Sequence, residues 1–422
     1  MSFLTLRRIP LYFKKLSWRV SLHDMTLLPF AMILCLVMYV TLSLSEMEMP
    51  LVSYGVLAVV LASFALMLTL VVKGREMTKY GFMHFLYFSI FIAITLVSAT
   101  DVRNAIYNSI CVWLTLLIMR YYRHRMDMVV KCFCIAFSVC IYINFLHVLT
   151  HPMLWLVQDS KDTTGYLLGS NYNQMGCRMI VGLSANLLCL RGSKLWLANF
   201  IGLSAAIVAT LAMVGSMTSL SMISLLVVYC LVPSARLRKI GICGLFAVFV
   251  LFQVFVVFSG RGLENNELAV YVVEDVLQKD LTFTNRTSMW ESALDIIAKS
   301  PIWGWGYPDG DWYRANMEAS AIGPHNFILS ILINGGIILM SLYIAICVMA
   351  YKSMRPYLGD ATLQRLLFST VCLWVMALME MYPYPIMMYP LALLYYYKYY
   401  AEDGTAAAGN STTDNTNARE YE

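Results

Sequence analysis

Apolar residues in this chain fall in long unbroken runs, not in the alternation of a half-buried strand or the narrow stripe of a surface helix. A helix needs roughly 20 such residues to cross a bilayer. Runs near that length occupy 25–45, 51–73, 81–98, 104–119, 128–149, 175–190, 195–214, 217–232, 240–258, 326–350, 364–382 and 385–400. The pattern predicts an all-α integral membrane protein of twelve transmembrane helices, with a large, partly helical outer loop between spans nine and ten. Only Gly215 and Ser216 separate spans seven and eight, and span twelve is crowded with Tyr395, Tyr396, Tyr397, Tyr399 and Tyr400, as befits a membrane interface. Most links are short; 150–174 and 259–325 are the exceptions, and loops of that length usually carry function. In the longer one, Leu268, Val272, Val273, Val276 and Leu277 predict a helix over 266–279. Ser288 and Glu291 form a capping box for another, whose apolar face is Met289, Trp290, Ala293, Leu294 and Ile297 and which Pro301 ends. The chain thus divides into a basic N-terminus (1–24), spans one to nine (25–258), the loop (259–325), spans ten to twelve (326–400) and a polar tail (401–422) of disordered composition.

At 60% hydrophobic and 13% charged residues, the composition excludes ordinary soluble, disordered and disulfide-scaffold classes. The net charge of +5 acquires meaning from its placement. Arg7, Arg8, Lys14, Lys15 and Arg19 precede span one. The even-numbered links hold Lys73, Arg75 and Lys79; Arg120, Arg123, Arg125 and Lys131; Arg191 and Lys194; Arg236, Arg238 and Lys239; and Lys352, Arg355 and Arg365. Basic residues collect on the cytoplasmic side. Both termini are therefore expected in the cytoplasm and the long loop outside, and the positive charge marks topology, with no nucleic-acid partner implied. From 259 to 324 there are ten acidic and five basic residues, a balance of −5. The eleven cysteines lie in or beside spans, with no disulfide framework or zinc spacing.

Candidate chemistry concentrates late in the long loop. Arg286 stands at a helix start, where a guanidinium beside unsatisfied N–H groups suits a phosphate. Trp303, Trp305 and Tyr307 alternate with Gly304 and Gly306, an adjustable aromatic loop suited to stacking on sugars. Asp309-x-Asp311 has the form of a metal site, but two carboxylates in an acidic loop occur often, and neither a metal nor a cofactor is expected. Gly323-Pro324-His325-Asn326 fixes a histidine to the start of span ten, with a titration range suited to proton transfer. Arg178 falls within the outer end of span six, where an unpaired charge is costly. Glu380 and His147 lie at the same level.

Arg286-x3-Trp290, Pro301-x2-Gly304-x-Gly306, His325-Asn326 and Asn334-Gly335-Gly336, in that order, resemble the O-antigen ligase/polymerase family, multi-span bacterial enzymes that handle glycans carried on undecaprenyl diphosphate. The resemblance covers 286–340 in motif and the rest in architecture. It implies that His325 is the base that deprotonates an acceptor hydroxyl. Arg286 and Arg178, assisted by Arg261, are implied to hold the donor diphosphate. Trp290, Trp303, Trp305, Tyr307 and Asn326 are the glycan-contact candidates, and Glu380 is a further polar group in the same layer. One departure is that the family often carries a Ser-Arg pair where this chain reads Ser216-Met217-Thr218-Ser219.

The implied activity is metal-independent, inverting glycosyl transfer on the outer face of a bacterial cytoplasmic membrane. The donor is an oligosaccharide on undecaprenyl diphosphate and the acceptor a sugar hydroxyl, with other polysaccharide-export components as possible partners. Polymerisation of a surface polysaccharide and ligation to a lipid A core use the same chemistry. A secondary transporter or lipid-linked oligosaccharide flippase is the non-enzymatic alternative, since twelve spans with both ends inside suit it. Transporters, however, place ionisable groups near the midplane, whereas here only His84 lies toward the inner side. Glu46 and Glu48, in a first outer loop, would serve a different transferase class, but that loop is too short to build a site.

Overall fold

The computed structural model describes residues 26–42, 49–151, 166–169, 172–190, 194–259, 286–317 and 321–417. The basic N-terminus, Glu46, Glu48, Arg261 and the helix expected over 266–279 lie outside the described residues. Among those described there are fourteen α-helices and no strands. Twelve of them coincide with the apolar windows: α1 (Leu27–Thr41), α2 (Pro50–Lys73), α3 (Lys79–Val97), α4 (Val102–Tyr121), α5 (Met126–Thr150), α6 (Tyr172–Cys189), α7 (Lys194–Met213), α8 (Met217–Cys230), α9 (Ala235–Phe255), α12 (Phe327–Met354), α13 (Ala361–Met376) and α14 (Tyr384–Asn417). The other two, α10 (Arg286–Lys299) and α11 (Gly310–Asn316), belong to the long loop. Seven helices, α2 to α5, α7, α9 and α12, are long and apolar enough to cross a membrane, while α1, α8 and α13 are apolar but shorter. The protein is an all-α integral membrane protein.

Helices far apart in sequence pack as neighbours in space as well as consecutive ones, with α5 on both α6 and α1, α9 on α13, and α12 between α3 and α14. The apolar runs are not amphipathic, so outward-facing side chains such as Leu51, Val97 and Leu251 stay exposed, as lipid-facing positions do. Several hydroxyl residues inside the bundle are satisfied locally. Thr41, Thr95, Ser109, Thr115, Thr210 and Thr370 each donate to the carbonyl four residues back, and the hydroxyls of Ser184 and Ser369 meet at 2.6 Å. The links expected to be cytoplasmic gather at one end of the bundle. There Arg123 pairs with Glu76 at 2.5 Å, and Arg238 donates to Gln364 and to the carbonyls of Val232 and Pro233. The 286–326 segment occupies the opposite end, referred to below as the loop end.

Two expectations change. The backbone stays helical to Asn417, into the stretch expected to be irregular, where Ala406, Ala407 and Ala408 are strong helix formers. The tyrosines of α14 are not an interfacial belt: Tyr396, Tyr397 and Tyr400 are buried, and Tyr395 stacks on Tyr80 of α3 at 3.8 Å.

The feature that positions the site is a break in α12. Gly335 and Gly336 leave helical geometry, the latter at φ +56°. Backbone groups freed there need partners, since nothing in a membrane supplies them. The 301–306 segment provides them by docking into the gap. Trp305 and Gly306 N–H donate to the carbonyls of Ile333 and Asn334 at 2.7 and 3.0 Å, and Ile337 N–H donates to Pro301 at 2.9 Å. Only glycine fits the crossing, because a Cβ on Gly304 would lie 2.4 Å from the Ile333 carbonyl oxygen and one on Gly336 2.4 Å from the Ile302 backbone. On its other side the same segment is stitched to the α3–α4 turn: Asp101 N–H donates to Tyr307 O at 2.9 Å and Thr100 Oγ1 to Trp305 O at 3.3 Å.

Candidate active site

At the loop end, two side chains from distant parts of the chain converge on the carboxylate of a third. His325 Nδ1 lies 2.9 Å from Glu380 Oε1, and the Arg286 guanidinium lies 3.9 Å from Oε2. Local structure explains why they meet. Asn326 is the N-cap of α12, accepting from Leu329 N–H at 2.9 Å. Its amide donates to Leu378 O at 3.1 Å and to Gln253 Oε1 on α9 at 2.9 Å. Phe327 N–H adds a bond to Ala377 O at 3.0 Å. These bonds clamp the start of α12 to the α13–α14 turn, one residue after His325 and two before Glu380. His325 itself sits at φ +44°, a left-handed conformation that non-glycine residues seldom adopt away from functional sites.

Glu380 is almost fully buried. Burial works to raise its carboxyl, but the His325 hydrogen bond and charge, the Met381 N–H at 3.1 Å and the Arg286 charge outweigh it, holding the group below the ordinary carboxylate range. A carboxylate at Nδ1 places the ring proton there and leaves Nε2 with an open lone pair, the arrangement of an oriented general base. Because the folded-state value is depressed, Glu380 contributes stability that is fully present above its unfolded value and is lost as pH falls through the folded one. The melting-temperature gap between the wild type and Glu380→Gln is therefore expected to be full above about pH 5 and to shrink on acidification below it, as thermal unfolding in nanodiscs would show. A gap that widens on acidification would reverse the sign of this assignment.

The other sequence candidates separate into those near this centre and those with structural duties. Arg178 is buried on α6 at the loop end, and its Nη1 donates to the carbonyls of Leu168 and Gly169 at 3.0 and 3.4 Å, clasping the 166–169 segment over the bundle. Trp290, expected to touch glycan, is fully buried against Phe252 in the core beneath α10. Its apolar surface outweighs the exposure that stacking would need. Asn326, another glycan candidate, is also fully buried and spends its amide on the clamp described above. Trp305 is half-buried with its indole N–H on Ile296 O at 3.1 Å, and Tyr307 is half-buried with its ring edge-on to Phe91, whereas Trp303 is exposed. Asp309 caps α11 through Trp312 N–H at 2.8 Å and Asp311 pairs with Arg314, which accounts for both carboxylates. Arg261 lies outside the described residues.

Near the position of that Ser-Arg pair, α8 makes a close helix contact. A Cβ on Gly176 of α6 would lie 2.2 Å from Ser219 of α8, so the helices touch there through small residues. The Ser219 hydroxyl bonds Tyr382, whose phenol burial raises far above its ordinary value and which feels the charges of Glu380 and Arg286. Sequence reasoning placed Glu380 in the correct layer without its partner. The available signal was an acid isolated in an apolar stretch; Gln253 and Tyr382 gave none. Below the clamp, an apolar cleft of about 530 Å³ runs between α9, α12 and α13, with Phe327 and Ala377 among its lining residues and Phe246, Phe249 and Trp374 along its wall.

Residues 199–344 match a family model described as O-antigen ligase. The match takes in α8, α9, the long loop, Arg286, His325 and the broken α12 together. Among curated proteins, none matches the chain. With its helical bundle and its apolar spans, the chain is a membrane protein that is similar over residues 199–344 to the O-antigen ligase family.

Proposed function

We propose that the protein polymerises repeat units of a bacterial surface polysaccharide by glycosyl transfer from undecaprenyl diphosphate at the outer face of the cytoplasmic membrane. The observation that carries this reading is the His325–Glu380–Arg286 cluster, two of whose members, Arg286 and His325, fall in the region similar to that family. His325 Nε2 accepts the proton of an acceptor sugar hydroxyl, with Glu380 holding the ring and balancing the imidazolium that forms. The hydroxyl oxygen attacks the anomeric carbon from the face opposite the diphosphate, the carbon–oxygen bond to phosphate breaks, and the configuration inverts. Undecaprenyl diphosphate leaves with the bond's electron pair. Arg286, too far from Glu380 for a hydrogen bond, directs its donors to the diphosphate, with Arg178 supporting the same layer. The apolar cleft below suits the prenyl chain. Arginines supply the positive charge, so no metal is required for leaving-group departure.

Ligation to a lipid A core or another terminal acceptor uses the same step, and the family description favours it as a second reading. Purified protein given an undecaprenyl-diphosphate repeat unit is expected to build a ladder of longer lipid-linked chains, with or without chelator. Unextended substrate that is instead moved to an added core acceptor would replace polymerase by ligase. Flux across proteoliposomes with no new glycosidic bond would replace both by transport.

A further inference from the structure

A second pocket at the loop end, of about 270 Å³, lies among α1, α2 and α4. Its wall differs from the rest of the bundle. Tyr39, Tyr54 and Tyr107 supply aromatic rings, and Arg103, Asn104 and Asn108 supply hydrogen-bonding groups. Tyr39 and Tyr107 meet edge to face at 6.1 Å, and the Arg103 guanidinium lies 5.6 Å from the Tyr107 ring centre. Rings that present a face, next to amides and a guanidinium, form the surface that binds a sugar: C–H faces stack while hydroxyls find donors and acceptors. The cleft between α9 and α13 also has aromatic rings, but no amide or guanidinium beside them.

Two connections tie this pocket to the reacting centre. Pro383 and Pro385 form part of its wall, so the short turn carrying Glu380 runs on to become its rim. Asn108 hydrogen-bonds the Tyr307 hydroxyl, and the Tyr307 carbonyl accepts from Asp101 at the start of α4, so the α4 side is stitched to the loop that docks into α12. The amides are also held in place: Asn104 Nδ2 donates to Asp101 Oδ2 at 2.6 Å and Asn108 Nδ2 to Asn104 O at 2.8 Å. Two of the wall's amides are thus fixed by contacts within the protein.

We infer that this pocket is a sugar-binding subsite that holds a ring of the glycan one or more residues away from the bond being formed. The inference rests on the glycosyl-transfer reading for its role, while binding itself can be measured without turnover. The probe is the lipid-free repeat oligosaccharide released from the source organism's own polysaccharide, titrated onto full-length protein in nanodiscs. Tyr54 and Arg103 are exposed, so Tyr54→Ala and Arg103→Gln leave the core intact. Each is expected to weaken oligosaccharide binding by about tenfold, the loss of one stacking or hydrogen-bonding contact. Binding equal in wild type and both variants, or no binding to any of them, overturns the subsite.

Turnover kinetics identify the source of the ring. A raised KM for the acceptor with kcat preserved assigns it to the acceptor glycan, and a raised KM for the lipid-linked donor assigns it to the donor's distal sugars; both uphold the pocket. Oligosaccharide binding lost in the variants, by a wild type that forms no glycosidic bond, sinks the proposed reaction and keeps the subsite. Normal bond formation with unchanged binding does the opposite.

Discussion

Replacing His325 by alanine is expected to lower the rate of glycosidic bond formation by about 10²–10⁴, the usual contribution of a positioned base, while donor binding stays near the wild-type level. The argument is geometric. The imidazole is held at Nδ1 by a buried carboxylate, and its backbone is locked by the Asn326 clamp on one side and a left-handed turn on the other. Chain extension in a strain carrying His325→Ala as its sole copy measures the effect, with single-repeat products expected on gels. Full-length polymer from that strain would remove His325 from the chemistry. Glu380→Gln should fall between wild type and His325→Ala, because the amide still accepts a hydrogen bond but no longer balances an imidazolium.

The second large effect is structural. Gly336→Ala should cost about 2–5 kcal/mol, since alanine at a positive φ is unfavourable by about 1–2 and a forced backbone clash adds about 1–3. The added Cβ would stand 2.4 Å from the carbonyl carbon and oxygen of Ile302, atoms that cannot rotate away. Gly304→Ala meets the same obstacle from the other partner, at Ile333 O and Gly335 N. Gly55→Ala, on α2 with nothing near its Cβ position, is the control and should leave stability unchanged or slightly raised. Thermal unfolding of the three variants in nanodiscs tests this directly, and equal melting temperatures for Gly336→Ala and Gly55→Ala would mean that the loop does not dock into the helix.

The two glycine motifs show what was readable in the sequence and what was not. Long apolar runs announce helices almost by length alone, so every window found its helix, including the brief α8 after Gly215 and Ser216. The spacing Pro301-x2-Gly304-x-Gly306 was equally visible, but as a flexible aromatic loop for sugars. Its glycines instead serve close backbone contact with Asn334-Gly335-Gly336, a pairing across a long sequence interval that no local pattern encodes. Trp290 and Asn326 were misread for a related reason. An indole or an amide looks the same in sequence whether it faces substrate or fills a core, and only the neighbours, Phe252 for one and Gln253 for the other, decide. The position of His325 at a helix start is a local property and so is legible in sequence; its contact with Glu380 is not.

The docking of 301–306 into α12 also sets an order of events in biosynthesis. The docking segment leaves the ribosome before the helix that receives it. Until the two meet, the carbonyls of Ile333 and Asn334 and the N–H of Ile337 lack those partners, a state costing several kcal/mol inside a bilayer. Completion of α12 and capture of the loop are thus a single event. His325 lies on the stretch of chain between the two halves of the joint, within a ring closed by backbone hydrogen bonds, so the chain acquires its reactive histidine geometry only when that ring snaps shut.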